Sequence, residues 1–160
     1  MLAGTIGRTL CSLALVAGLA AVAGCGSDTQ HVPKLADLPL VRGTRVVAQS
    51  LKCDKGVGAF CGLQLVVVGP GFRNSNQLLK REHLHLKALG WTGADADIGG
   101  EWAADSPGHK LHLTFATADT DLQGTELGWI RRTRTIQLTL SRQLFARVPS
   151  LSMVLEEGPG

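Results

Sequence analysis

KLHLTFATA, residues 110–118, decides the fold class. On an extended chain Leu111, Leu113 and Phe115 fall on one side, and His112, Thr114 and Ala116 on the other. That two-residue period is the mark of a strand with one apolar face. Just ahead of it stands Asp105-Ser106-Pro107-Gly108-His109. Proline pre-sets φ at the first central position of a turn, and glycine accepts positive φ at the second. Residues 98–104, before the turn, are then the partner strand of a hairpin. Strands with one apolar face predict an antiparallel sheet with one side covered by helix.

Working outward, a second hairpin precedes this one. Residues 44–52 (TRVVAQSLK) begin β-branched and partly alternate, and residues 60–68 (FCGLQLVVV) make a stronger strand that stops at Gly69-Pro70-Gly71. Between them, Asp54-Lys55-Gly56-Val57-Gly58 is turn material. Cys53 and Cys61 flank the turn, so a disulfide between them would staple the loop end of the hairpin. Closing a nine-residue loop is worth about 2.5 kcal/mol on a chain-entropy argument. A redox-active dithiol would want the C-x-x-C spacing that lowers a thiol's pKa, and this pair lacks it.

Two helices are expected. Asn74 and Gln77 offer a capping box, Leu78, Leu79, Leu86 and Leu89 recur at helical spacing, and Gly90-Trp91 supplies the stop. Later, Ile136, Leu140, Leu144 and Val148 stand four apart before Pro149. The spacing favours a helix over roughly 128–148, although residues 135–140 also alternate as a strand would. Residues 119–128 follow no period. Residues 150–156 are apolar enough for a final edge strand. The order β-β-α-β-β-α, with that further β, is an α+β fold: an antiparallel sheet of two hairpins covered by two helices.

The beginning of the chain reads differently. Residues 1–8 carry one charge, Arg8, and residues 9–23 are almost wholly apolar or small. At about 15 residues the run is shorter than the ~20 a membrane-spanning helix needs, and it has the tripartite form of a secretory signal peptide. It ends in Val22-Ala23-Gly24-Cys25, which resembles the bacterial lipobox: an aliphatic and two small residues before cysteine. The resemblance implies cleavage before Cys25 and lipid on its sulfur. Several acyl chains together hold a protein on a membrane, whereas one does not. Three segments follow: a leader at 1–24, a lipidated tether at 25–42 and a single α+β domain at 43–160. The tether reading rests on Ser27, Asp28, Pro33, Asp37 and Pro39, scattered with no period.

Export agrees with the cysteines. Cys11 leaves with the leader and Cys25 is consumed by lipid, which leaves Cys53 and Cys61 as an even pair for an oxidising compartment. The expected address is the outer leaflet of the plasma membrane, or the outer membrane in a Gram-negative host. The chain has 16 Lys and Arg against 13 Asp and Glu. Without Arg8 the mature form carries about +2. Neither that balance nor any motif is a nucleic-acid signature. Aromatic residues are 4% and tyrosine is absent, so stacking platforms for bases or sugars are scarce.

Chemistry-bearing clusters are sparse. His83 and His85 point about 200° apart round a helix and cannot share a metal. His109 and His112, with Glu101 on the partner strand, could in principle approach one another, but zinc wants three or four convergent ligands, and no H-E-x-x-H or Cys/His spacing is present. Solvated surface histidines are the simpler reading. Ser106 belongs to the turn rather than to a G-x-S-x-G elbow. Asp95, Asp97, Glu101 and Asp105 form an acidic stretch read as solvated connection, with Gly56-x-Gly58 and Gly69-Pro70-Gly71 as turns. Trp91, Trp102 and Trp129 read as core. Arg131, Arg132, Arg134, Arg142 and Arg147 make the last helix basic, and the first four are candidate contacts for anionic lipid or a partner. No catalytic residue, metal or cofactor is expected.

In its Ala/Gly/Arg/Val-rich style, hairpin cysteines and Gly-Trp and Leu-Gly-Trp segments, the mature region resembles the small lipoproteins of high-GC, actinobacterial-type genomes. That resemblance implies no particular activity. The leading expectation is a non-enzymatic interaction module of the cell envelope, held to the membrane through Cys25 and meeting an envelope protein. The alternative is a carrier of a small apolar ligand or lipid, followed by a hydrolase or metal enzyme.

Overall fold

The computed structural model describes residues 32–55, 61–93, 101–117 and 132–157. Strands β1 (Arg45–Cys53) and β2 (Cys61–Val68) are followed by helix α1 (Ser75–Ala88). Strands β3 (Glu101–Asp105) and β4 (Leu111–Thr117), short helices α2 (Arg134–Thr139) and α3 (Arg142–Arg147), and strand β5 (Ser150–Glu157) complete the order. The fold is α+β, and both expected hairpins are present as antiparallel pairs, β1 with β2 and β3 with β4. The leader, Cys25, residues 94–100 and residues 118–131 lie outside the described residues.

One strand is not where its composition placed it. The sheet order is β1-β2-β5-β4-β3, so β5 is the central strand rather than an edge. It pairs antiparallel with β2 on one side and with β4 on the other. Every residue from Ser150 to Glu156 is buried. Both faces of β5 are therefore spoken for, as expected of a strand in mid-sheet.

The inner face carries the main core. Leu63, Leu65 and Val67 of β2 sit opposite Leu155, Met153 and Leu151 of β5, which in turn meet Leu113, Phe115 and Thr117 of β4. Leu78, Leu79 and Leu86 of α1 and Trp91 close over them. Each fully buried large side chain contributes roughly 1.5–3 kcal/mol of transfer free energy.

The opposite face is also buried, which corrects the one-sided sheet. Thr114, Ala116, Ser152 and Val154 are all nearly inaccessible. Ile136 and Leu140 from α2 and its end pack on Val66, with Val47, Ala48, Leu144 and Phe145 around them. The four-residue spacing in this region thus serves packing, but neither one long helix nor a strand forms over 135–148. The chain breaks at Leu140–Ser141, where the Ser141 hydroxyl accepts a hydrogen bond from Leu144 N–H at 3.3 Å and starts α3 afresh.

Local signals explain the other boundaries. Asn74 caps α1 by accepting from Gln77 N–H at 2.8 Å, while the Gln77 side chain accepts from Arg73 N–H at 2.7 Å, one residue earlier than a capping box would reach. Gly90 ends the helix at φ +83°, and Trp91 N–H returns to the Leu86 carbonyl at 3.0 Å, folding the indole into the core. In the second hairpin Gly108 takes φ +79°, as the turn requires.

The stretch expected as the far part of a tether is packed. Leu35–Asp37 forms a 3-10 turn, Pro33 is buried, and Leu38 joins the inner core with Leu40 and Val41 against it. Residues 33–44 therefore form a strap on the α1 side of the sheet, and the packed domain begins earlier than residue 43.

Candidate functional site

The β3–β4 register sets Asp105 opposite His112. Their side chains meet at 2.7 Å, His112 Nδ1 to Asp105 Oδ1, and His109 Nδ1 approaches the other carboxylate oxygen at 3.9 Å. A carboxylate accepts only, so the His112 Nδ1 hydrogen points at Asp105. The next residue along this rung is Glu156, buried at the centre of the sheet, and beyond it Gly62 and Lys52. The sheet therefore carries a titratable row of Asp105, His112, Glu156 and Lys52 on its outer face. Lys52 and Glu156 are both engaged in further interactions.

Other histidine neighbours differ from expectation. Glu101 pairs with Ala116 at the far end of β3, about 13 Å along the strand from Asp105, so it does not join His109 and His112. His83 packs edge-on against Trp102, with ring centroids 3.8 Å apart. The Ser106 hydroxyl accepts from Leu111 N–H at 2.9 Å and so holds the turn. Among the described residues, no group of three or more His, Cys, Asp and Glu side chains is arranged to hold a metal ion.

The most unusual carboxyl lies elsewhere, and the sequence reading missed it. Glu82 is fully buried in α1. Its Oε2 accepts from the Val41 N–H of the strap at 3.1 Å, and its Oε1 meets no donor among the described residues. Burial pushes its pKa up to about 7, against which the Val41 hydrogen bond acts only in part. The signal was present: Glu82 stands midway between Leu78 and Leu86, four residues from each, in the leucine row that faces the sheet.

Of the arginines expected as lipid or partner contacts, Arg132 and Arg134 fall within the described side chains. Arg131 lies outside the described residues, as does the side chain of Arg142. Arg132 is half-buried and engaged, and burial lowers its pKa. Next to it, Thr133 N–H donates to the buried Gln64 Oε1 at 2.8 Å, which fixes the start of α2 on the sheet. Arg134 and Arg147 are exposed.

Among the described residues, two surface clefts are of note. One, of about 320 Å³, lies between the C-terminal end of α1 and β3, lined by His83, Lys87, Trp91, Thr92 and Ala103. The other, of about 340 Å³, lies between the start of α1 and the end of α3, lined by Arg73, Asn74, Asn76, Phe145 and Arg147. Cys53 and Cys61 are joined by the expected disulfide at the loop end of the first hairpin. No described helix is long and apolar enough to cross a membrane. Asp95, Asp97 and Trp129 lie outside the described residues. No protein-family model, curated protein sequence or solved structure matches this chain.

Proposed function

We propose that the protein is an exported lipoprotein of the cell envelope, lipidated on Cys25, whose α+β domain is a non-enzymatic interaction module. The observation that carries this reading is the Cys53–Cys61 disulfide, read together with the lipobox-like Val22-Ala23-Gly24-Cys25. A small domain with a hairpin disulfide belongs to an oxidising compartment, and the lipobox gives the same address. The strap supports it further. From Cys25 to buried Pro33 there are eight residue steps, at most about 28 Å of chain, so the domain would be held against the membrane surface.

The carrier alternative has less support. Leu65, Leu78, Phe115 and Met153, all fully buried, fill the interface between α1 and the sheet. The clefts described above each have charged side chains in their lining.

Mass spectrometry of the N-terminal peptide from membrane-isolated protein tests the reading. The expected peptide begins at acylated Cys25, and a Cys25→Ser variant should leave the membrane fraction. An intact residue 1–24 segment, or an unmodified Cys25 thiol, would sink it. Cross-linking the lipidated protein in its native envelope would then identify what it meets.

A further inference from the structure

We infer that the α1 side of the domain is the surface that lies on anionic phospholipid headgroups of the membrane to which Cys25 is anchored. The inference rests on the lipid-anchor reading for its geometry, and on the charge layout for its chemistry. The leash arrives on this side. Leu38 of the strap shares a core cluster with Leu78, Leu79 and Leu86 of α1, and Val41 is hydrogen-bonded to Glu82 of the same helix. The chain of at most about 28 Å between Cys25 and Pro33 enters the domain on the α1 side, so this side reaches the bilayer with the least extension of the leash.

That side is basic. Arg42 lies in the turn that leads into β1, Arg73 precedes α1, and Lys80 and Arg81 stand on the outer face of α1. Arg147, across the cleft from Arg73, continues the patch round the same end. All five are exposed, and among the described residues none is in an ion pair. The one carboxylate of α1, Glu82, is buried, and Asp37 of the strap is held by Lys34 N–H at 2.8 Å. By contrast, the exposed carboxylates Asp54 and Glu157 lie at the opposite end of the sheet, next to the disulfide. Leu84, one turn beyond Lys80, is 47% exposed and lies on the same outer face of the helix. Basic residues attract anionic headgroups, and Leu84 beside them adds apolar surface for the headgroup boundary.

Charge near an anionic leaflet contributes about 1 kcal/mol per basic residue, a factor of about five each, and fades within a Debye length. Because the leash makes the contact intramolecular, a modest intrinsic affinity is enough to orient the domain.

Hydrogen exchange of the lipidated full-length protein tests this. It would be reconstituted in vesicles of phosphatidylcholine alone and in vesicles where about a third of the lipid is phosphatidylglycerol. Amides of residues 69–74 and of α1 should exchange more slowly on the anionic vesicles. High salt, or the combined Arg73→Gln, Lys80→Gln and Arg81→Gln substitutions, should abolish the difference. Equal exchange on both vesicle types overturns the inference, as does protection centred on Asp54 and Glu157. The mass of the N-terminal peptide from the same preparation reports the anchor separately. If Cys25 carries no lipid, co-flotation of the same chain decides for the surface. Binding to the anionic vesicles alone, weakened about fivefold per substitution, sustains it, and no binding overturns it.

Discussion

A carboxylic acid removed from water ties stability to pH, and Glu82 is such a group. Its pKa is about 7 in the folded chain against an ordinary 4.5, so folding favours the protonated form. The stabilisation is fully present below the unfolded value and is lost as pH rises through the folded one. Between about pH 5 and about pH 8 the melting temperature of the wild type should therefore fall, with a limiting cost of roughly 3 kcal/mol at high pH. Glu82→Gln keeps an acceptor for Val41 N–H without a charge and should flatten the profile. A wild type as stable at the alkaline end as at the acid end would refute this account. Gly93 makes a separate case. A Cβ there would run into the carbonyl oxygen of Ala103, a backbone atom that cannot give way cheaply. The close approach is set by the bridge between Thr92 and Asp105, which tacks the chain onto the edge of β3. Gly93→Ala should cost roughly 1–3 kcal/mol in urea unfolding, read as a lower midpoint at unchanged slope.

At the scale of elements, the first hairpin depends on its staple. Removing the Cys53–Cys61 bridge by paired serine substitution should lower stability by about 2.5 kcal/mol, seen as a loss of melting temperature that reducing agent reproduces in the wild type. An unchanged melting temperature on reduction would show that the hairpin is held by its packing alone. Hairpins and α1 were legible because their determinants are local. Pro107-Gly108 makes a turn wherever it is placed, Asn74 caps the residues that follow it, and alternation through Leu111, Leu113 and Phe115 reads the same alone as in the sheet. The second half of the chain was less readable for a physical reason. Ile136, Leu140 and Leu144 fit one helical stripe, yet the hydroxyl of Ser141 competes for the backbone and restarts the helix. Among the candidate contacts, Arg132 reads from the sequence as a surface arginine, but the docking of α2 through Thr133 and Gln64 half-buries it. That docking depends on Gln64, nearly seventy residues earlier in the chain. Glu82 escaped notice because charged helix residues are ordinarily outside, and only the strap over it shows otherwise.

For the molecule as a whole, the position of β5 matters most. Met153 lies fully buried between Leu65 and Phe115, its register partners on the two flanking strands. Met153→Ala should cost about 2–5 kcal/mol. Leu51→Ala on edge strand β1, where the side chain is 47% exposed, should cost well under half as much. Chemical unfolding of the two variants measures the contrast, and similar losses would contradict a core centred on β5. The same arrangement bears on how the protein is made. In the sheet, β1-β2 and β3-β4 are separate ribbons joined only through β5, a strand synthesised after both. An isolated two-stranded hairpin is marginal in water. During synthesis the ribbons therefore remain weakly structured until residues 150–157 emerge. Their non-local pairing then makes closure of the sheet a slow step. If the chain is exported as proposed above, a sheet that cannot close until its central strand arrives would leave the chain threadable through a translocation channel.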